Sequence, residues 1–272
     1  MDPLVSVIMC NYNYGRFIAE AIDSVLNQTF TNFEFIIVDD GSTDDSREVI
    51  SSFQDSRISP LFQKNGGQAV AFNAGFKIAR GGIIAFLDSD DWWKPKKLET
   101  VVKWHYFLDG DYSVLQHGLD VWDDGKTNPY KNILPVGDCF AEMKRTNNID
   151  FFVATSGLIF TGAVLKKVFP LPERMRICAD GYMMRAAFVF GKVYSIPCSL
   201  GFYRKHENNA VMQKKEFDMY KYLWEILFPE LNKFYESRNI GYQFPDAPDS
   251  RAAFLPGLLS RLRGIAGKML HR

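Results

Sequence analysis

The stretch GGIIAFLDSDDWWKP, residues 81–95, runs five apolar residues, Ile83 to Leu87, straight into Asp88, Asp90 and Asp91. A short, unbroken apolar run bounded by glycines predicts a strand buried on both faces, as in a parallel sheet. The same character recurs upstream in LVSVIMC (4–10) and FEFIIVDD (33–40), and more weakly in ISPLFQ (58–63). Between these strands, Phe17, Ile18, Ala21, Ile22, Val25 and Leu26 recur at helical spacing. Val49, Ile50 and Phe53 mark a short helix, and another is expected from about Gln68 to Arg80, after Gly66 and Gly67. Pro95 opens a helix through about Phe107. Strand–helix alternation of this kind predicts an α/β fold, a mainly parallel central sheet flanked by helices.

Beyond residue 110 the pattern loosens. YSVLQHGLDVWDDGK reads as a strand ending in an Asp124-Gly125 turn, followed by a polar stretch, 124–150. FFVATSGLIF (151–160) is another apolar segment. A helix is expected from Gly181 to Phe190, then two strands, KVYSIP and LGFYRKH. From about 213 to 238 the chain reads as helical and aromatic. GYQFPDAPDSR (241–251) reads as a linker.

The 272 residues suit one large domain or a domain with an appendage. Lys plus Arg equals Asp plus Glu at 32 each, so no nucleic-acid partner is expected; that class usually demands a basic surface. Cys10, Cys139, Cys178 and Cys198 form no Cys-x-x-Cys pair, which favours a reducing, cytoplasmic setting over a zinc site or disulfide framework. The acid in MDPLVSVIMC and its short apolar run read as a first strand, not a signal peptide. No run approaches the length of a membrane span.

In open parallel sheets, ligands bind beyond the C-terminal ends of the strands. Three strands end there in polar chemistry: Asn11 and Tyr12 after the first, Asp39 and Asp40 after the second, Asp88, Asp90 and Asp91 after the fourth. Adjacent ionised carboxylates repel and usually hold a cation between them. Oxygen ligands suit Mg²⁺ or Mn²⁺, which commonly completes its shell with phosphate oxygens. The bland alternative is a set of solvated loop and cap acids. No P-loop, Gly-x-Gly-x-x-Gly, Gly-x-Ser-x-Gly or His-Glu-x-x-His motif occurs.

VSVIMCNYN, SVLNQTFTNFEFIIVDDGSTDDS, NGGQAVAFNAG and GGIIAFLDSDDWWKP, in this order and spacing, strongly resemble the family 2 inverting glycosyltransferases with a GT-A fold. The likeness is dense over residues 4–107 and thinner to 206. It implies a GT-A type, Rossmann-like sheet. It also implies a nucleotide-sugar-binding subdomain over 1–110, an acceptor-binding and base subdomain over 111–212, and a helical C-terminal extension over 213–272. Asp39 then resembles the residue that bonds the donor's base, usually uracil, with Asn11 and Tyr12 lining that pocket. Asp88 resembles the residue near the donor ribose, and Asp90 and Asp91 the metal ligands at the diphosphate. In ICADGYMMRAAFVFG, Asp180 falls at the family's catalytic base. FYRKHENN resembles a late block that would set Arg204 near the phosphates and His206 near the metal.

Alternatives remain at these positions: Asp180 as the N-cap of its helix, and His206 as a polar residue closing a strand. Two departures from the family pattern stand out. Ala179 precedes Asp180 where many members carry Glu. Phe72 precedes Asn73 where many carry Arg, leaving Arg204 or Lys64 as replacement phosphate contacts. The Gln-x-x-Arg-Trp block of processive synthases is absent, implying one sugar per encounter with a glycan or lipid-linked acceptor. Competing readings are a sugar nucleotidyltransferase and a nucleotide-sugar-binding module without catalysis. Trp92, Trp93 and Trp122 could stack on sugars, although core packing is the commoner fate of tryptophan. The tail PGLLSRLRGIAGKMLHR (256–272) has one apolar helical face and basic residues near the other. It would suit peripheral contact with the inner face of a membrane, or a homo-oligomer contact.

Overall fold

The computed structural model describes residues 4–129, 134–146, 153–207, 209 and 219–246. The expected tail contact, residues 256–272, lies outside them. The chain divides into two compact units, 1–215 and 216–272.

The first unit opens with β1 (Val5–Asn11), α1 (Gly15–Leu26), β2 (Phe33–Asp39), α2 (Ser46–Ser52), β3 (Ile58–Phe62), α3 (Gln68–Ile78) and β4 (Ile83–Asp88). Their order is β3-β2-β1-β4, all parallel. The apolar runs explain this arrangement. Val7, Met9, Phe35, Ile37, Ala85 and Leu87 have essentially no exposed surface, and Ile18, Ala21, Ile22 and Val25 of α1 pack with them. Each buried aliphatic side chain of this size contributes roughly 1.5–3 kcal/mol. The weaker strand, β3, is the edge strand. It carries Pro60, whose missing N–H is tolerated at an edge.

The sheet then continues through β5 (Trp92–Trp93), α4 (Lys97–Phe107), β6 (Val114–Asp123), β7 (Lys126–Asn128), α5 (Cys139–Thr146), β8 (Leu158–Thr161), α6 (Gly162–Val168), α7 (Ala179–Ala187) and β9 (Val193–Lys205). A 3₁₀ turn, Thr155–Gly157, precedes β8, and another, Phe188–Phe190, follows α7. The nine strands form one sheet, β3-β2-β1-β4-β8-β6-β9-β5, with β7 paired to β6. Antiparallel pairing enters with β8, against both β4 and β6. The α/β, GT-A type architecture is therefore as expected, parallel in its first half and mixed in its second.

Two local expectations differ from the structure. The strands expected at KVYSIP and LGFYRKH are one strand, β9, whose register against β6 slips on either side of Gly118. Pro197 lies within this slip, and its missing N–H explains the break read from sequence. Helix α5 lies hidden in the polar stretch 124–150, and α6 follows β8 directly. Asp124 and Gly125 take positive φ, 45° and 78°, and close the β6–β7 hairpin as anticipated.

The second unit contains α8 (Met219–Tyr222), a π-helical turn (Leu223–Leu227) and α9 (Phe228–Glu236). Pro229 stands in the first turn of α9, where its lack of an N–H is harmless. Asn232 clasps Phe244 through both its amide groups (3.0 and 2.7 Å), and Phe228 stacks on the Phe244 ring. No helix among the described residues is long and apolar enough to cross a membrane.

Candidate active site

The parallel strands bring Asn11, Asp39 and Asp88 to one rim, because Asn11 pairs with Asp39 and Cys10 with Asp88. Asp39 is buried. It accepts from Asn11 Nδ2 (3.0 Å), from the Ser42 N–H (3.1 Å) and from Arg47 Nε (2.8 Å). Burial would raise its pKa, but these donors hold the carboxyl below the ordinary range. Asn11 Oδ1 is a buried acceptor with no partner among the described residues. Tyr12 is exposed beside it. Arg47, a contact that sequence reasoning missed, also reaches the Gln63 carbonyl (3.0 Å).

Asp40 serves structure instead. It accepts from Gln63 Nε2 and from the N–H groups of Gly66 and Gly67 at 2.6–2.9 Å, which shapes the turn before α3. Gly67 has φ +93°, and an added Cβ would meet the Arg176 backbone at 2.7 Å. The first N–H groups of α3 are capped by loop carbonyls, Gln68 by Arg176 and Ala69 by Met175. Gln68 Oε1 in turn accepts from the Ala179 N–H (2.8 Å), so the start of α3 helps mount the segment that carries Asp180.

Each of Asp88, Asp90 and Asp91 offers a carboxylate oxygen within 4.8 Å of the others. Burial, then mutual repulsion, pushes Asp88 and Asp91 well above the ordinary carboxylate range. Such an oxygen cluster fits a hard divalent cation. The three acids differ in engagement. Both Asp91 oxygens are held, one by the Arg204 N–H (2.9 Å) and the other by Ser156 Oγ (2.5 Å). Asp90 Oδ2 faces His206 Nε2 (3.0 Å) and Asn209 Nδ2 (3.3 Å), so Asp90 and His206 are brought together. Asn209, in the quoted FYRKHENN block, was missed; its amide also bonds the Arg204 carbonyl (2.9 Å).

Arg204, expected at the donor phosphates, is tied to the acidic loop. Its buried guanidinium donates to the Asp90 carbonyl (2.8 Å) and to Glu20, and sits over Trp92 (4.3 Å), Phe17 (4.9 Å) and Trp122 (5.0 Å). It braces the acidic loop from beneath. Trp92 and Trp122 are thereby occupied, and Trp93 is buried with Nε1 on the Ser156 carbonyl (2.9 Å). Phe72, at the family's arginine position, lies in the core edge-on to Phe86. Lys64 is exposed.

Asp180 is the second residue of α7 and not its N-cap; the cap position is Cys178, held in the left-handed region at φ 52°. Asp180 accepts from the Gly181 N–H and from Thr155 Oγ1 (3.3 Å), and burial raises its pKa. The next residue of the Thr155–Gly157 turn, Ser156, accepts from the Asp88 N–H (3.1 Å) and donates to Asp91 (2.5 Å). Through this turn Asp180 and the acids Asp88 and Asp91 share one site. The shallow cavity of about 540 Å³ lined by Glu236, Ile240 and Tyr242 carries no such chemistry.

Comparison with known proteins agrees with this geometry. The glycosyltransferase alr2836 of Nostoc sp. is 42% identical over 217 residues, which is 76% of this chain and 66% of that protein. The UDP-Glc:alpha-D-GlcNAc-diphosphoundecaprenol beta-1,3-glucosyltransferase WfgD of Escherichia coli is 41% identical over 122 residues, 43% of this chain and 48% of that one. The chain thus spans about two thirds and about half of these relatives' lengths. The crystal structure of S. aureus TarS 1-349 with UDP-GlcNAc shares the fold at TM-score 0.66 and 20% identity, over 85% of this chain and 66% of that one. The model of glycosyl transferase family 2 matches residues 6–169, from β1 through β4 and its acids to the end of α6. With that match spanning more than half of its length, the chain belongs to glycosyl transferase family 2 and is a glycosyltransferase.

Proposed function

We propose that this enzyme moves one sugar from a nucleoside-diphosphate sugar, a UDP-sugar above others, to a hydroxyl of a glycan acceptor with inversion. The observation that carries the reading is Asp180 joined to the acidic cluster through the Thr155–Ser156 turn, Thr155 bonding Asp180 and Ser156 bonding Asp88 and Asp91. Asp180 takes the proton from the acceptor hydroxyl. The acceptor oxygen bonds to the anomeric carbon while the bond from that carbon to the phosphate oxygen breaks. One in-line displacement inverts the centre, and a positioned base typically contributes ~10²–10⁴-fold.

Asp39 receives an N–H of the nucleobase, and Asn11 Oδ1 offers a second buried acceptor. Asp90, with His206 beside it, would hold Mn²⁺ or Mg²⁺, and Asp91 would contribute through its remaining lone pairs. Such an ion, when bound, neutralises charge on the departing diphosphate. Arg204 and Asn209 keep Asp90 in place. The lipid-linked substrate in the printed name of WfgD supports a lipid-linked acceptor for this chain too. That in turn suits work at the inner face of a membrane.

The test is incubation with a panel of UDP-sugars and Mn²⁺, reading UDP release, followed by NMR of the product's anomeric configuration. Retained configuration would refute the single displacement. UDP binding without any turnover would favour a binding module.

A further inference from the structure

We propose that Arg47 competes with the donor base for Asp39 and so sets how tightly a uracil nucleotide is held. The proposal rests on the function proposed above, in which Asp39 takes an N–H of the base.

Asp39 ends β2 at the ligand rim, yet its side chain has no exposed surface. An N–H from outside reaches it only where a group that covers it gives way. The carboxylate accepts from Asn11 Nδ2 (3.0 Å), the Ser42 N–H (3.1 Å) and Arg47 Nε (2.8 Å). These donors differ in freedom. Asn11 is buried, and its amide also donates to Ser42 Oγ (3.1 Å). The Ser42 N–H belongs to a turn that Gly41 holds at φ +81°, where an added Cβ would meet the Asn65 nitrogen at 2.6 Å. Asn13 clasps the same turn, its Oδ1 accepting from the Thr43 N–H (2.7 Å) and its N–H donating to Ser42 Oγ (2.9 Å). Arg47 is different from both: a long side chain, 42% exposed.

Arg47 also has other partners to stay with. Its Nη2 donates to the Gln63 carbonyl (3.0 Å), and its guanidinium carbon lies 5.6 Å from the centre of the exposed Phe62 ring. Both belong to the end of β3, so Nε can leave Asp39 while the carbonyl and the ring keep the cation nearby. An ion pair with a half-exposed partner contributes little, so the exchange is easy.

The exchange has a chemical condition. Arg47 gives Asp39 one N–H, and its replacement must give one too. The ring N3–H of uracil or thymine does so; unprotonated cytosine has no hydrogen at that ring position. Each uracil nucleotide therefore binds against the guanidinium, which limits its affinity.

The experiment uses the full chain with Arg47→Met, Asp39→Asn and the Arg47→Met/Asp39→Asn double variant. UDP and CDP, each with Mn²⁺, are titrated by calorimetry. Uridine, which carries no phosphate, is titrated by NMR without metal. Arg47→Met should bind UDP about two- to fivefold more tightly than wild type, the range set by loss of a competing, half-exposed ion pair. Uridine should gain by the same factor and CDP should gain nothing. In the Asp39→Asn background the Arg47→Met substitution should leave UDP affinity unchanged. If circular dichroism shows Arg47→Met unfolded, Arg47→Ala takes its place. Weaker or unchanged UDP binding in Arg47→Met would overturn the proposal, because Arg47 would then support Asp39 and not compete for it. A gain for UDP without one for uridine would also overturn it by placing the effect at the phosphates, as would an equal gain for CDP. Wild-type protein that binds no UDP, or Asp39→Asn protein that binds it as tightly as wild type, would instead sink the functional reading on which the proposal stands.

Discussion

Replacing Arg204 with methionine separates two roles for this residue: phosphate contact, as the family likeness implies, and brace of the acidic loop, as its surroundings indicate. Methionine keeps an apolar stem of similar length and removes the guanidinium. The Asp90 carbonyl then loses its charged donor at 2.8 Å. Leaving a buried acceptor unsatisfied costs about 1–3 kcal/mol. The guanidinium also sits over three rings, the nearest at 4.3 Å, and desolvated contacts of this kind contribute roughly 0.5–2 kcal/mol. The Glu20 partner is half exposed, so that ion pair adds only ~0–1 kcal/mol and is weakened further by salt. Together these give a loss of about 1.5–6 kcal/mol, a melting temperature lower by roughly 3–24 °C for a unit of this size. The assay is thermal unfolding with and without Mn²⁺, alongside calorimetric titration of UDP. An unchanged melting temperature with UDP binding abolished would refute the reasoning and return Arg204 to the donor phosphates.

Three further outcomes are expected. Excess EDTA should abolish donor turnover and Mn²⁺ or Mg²⁺ should restore it, while Asp90→Ala should remain inactive with either; full activity in EDTA would exclude the metal-dependent route. Asp180→Asn should lower turnover by ~10²-fold or more, about 3 kcal/mol of barrier, with UDP affinity nearly unchanged. The same substitution should stabilise the metal-free fold near pH 7. Burial raises the folded pKa of Asp180 above its unfolded value, so its stabilising contribution is full below about pH 4 and lost as pH rises through the folded pKa. Denaturant titrations at several pH values would show this gain vanish in acid, and a gain independent of pH would contradict it. UDP and dTDP should compete with the donor while CDP does not, because unprotonated cytosine lacks the ring N3–H that uracil and thymine offer to Asp39; equal inhibition by CDP would remove Asp39 from the base pocket.

How far the chain could be read in advance depended on whether the information was local. Strand β4 was legible to the residue, Ile83 to Asp88, because burial on both faces demands an unbroken apolar run. The strand β3 was legible only as a weaker one, and the β6–β7 turn was legible in Asp124-Gly125, because turn chemistry acts within a few residues. The acids at the strand ends followed from the parallel order, since parallel strands present their C-terminal ends at one rim. The second half was less legible. Short amphipathic helices such as α5 carry little periodic signal, and β9 is interrupted by Pro197 yet continues as one strand on the strength of its pairing with β6.

Side-chain roles depended on contacts between residues far apart in the chain. Asp88, Asp90 and Asp91 look alike in sequence. Only the fold ties both oxygens of Asp91 to Ser156 and Arg204 while it turns Asp90 toward His206 and Asn209. Likewise, no spacing rule points Arg204 into an aromatic cage or sets Thr155 against Asp180. The sequence by itself determined the class of fold, the rim and the kinds of chemistry gathered there, because hydrophobic period and turn residues are local properties of a chain. The tertiary structure decided which acid is held on both oxygens, which one meets His206 and which hydroxyl meets Asp180. Those outcomes are set by hydrogen bonds spanning 25 residues from Thr155 to Asp180 and 116 from Asp90 to His206, and they exist only once the sheet has closed the distance.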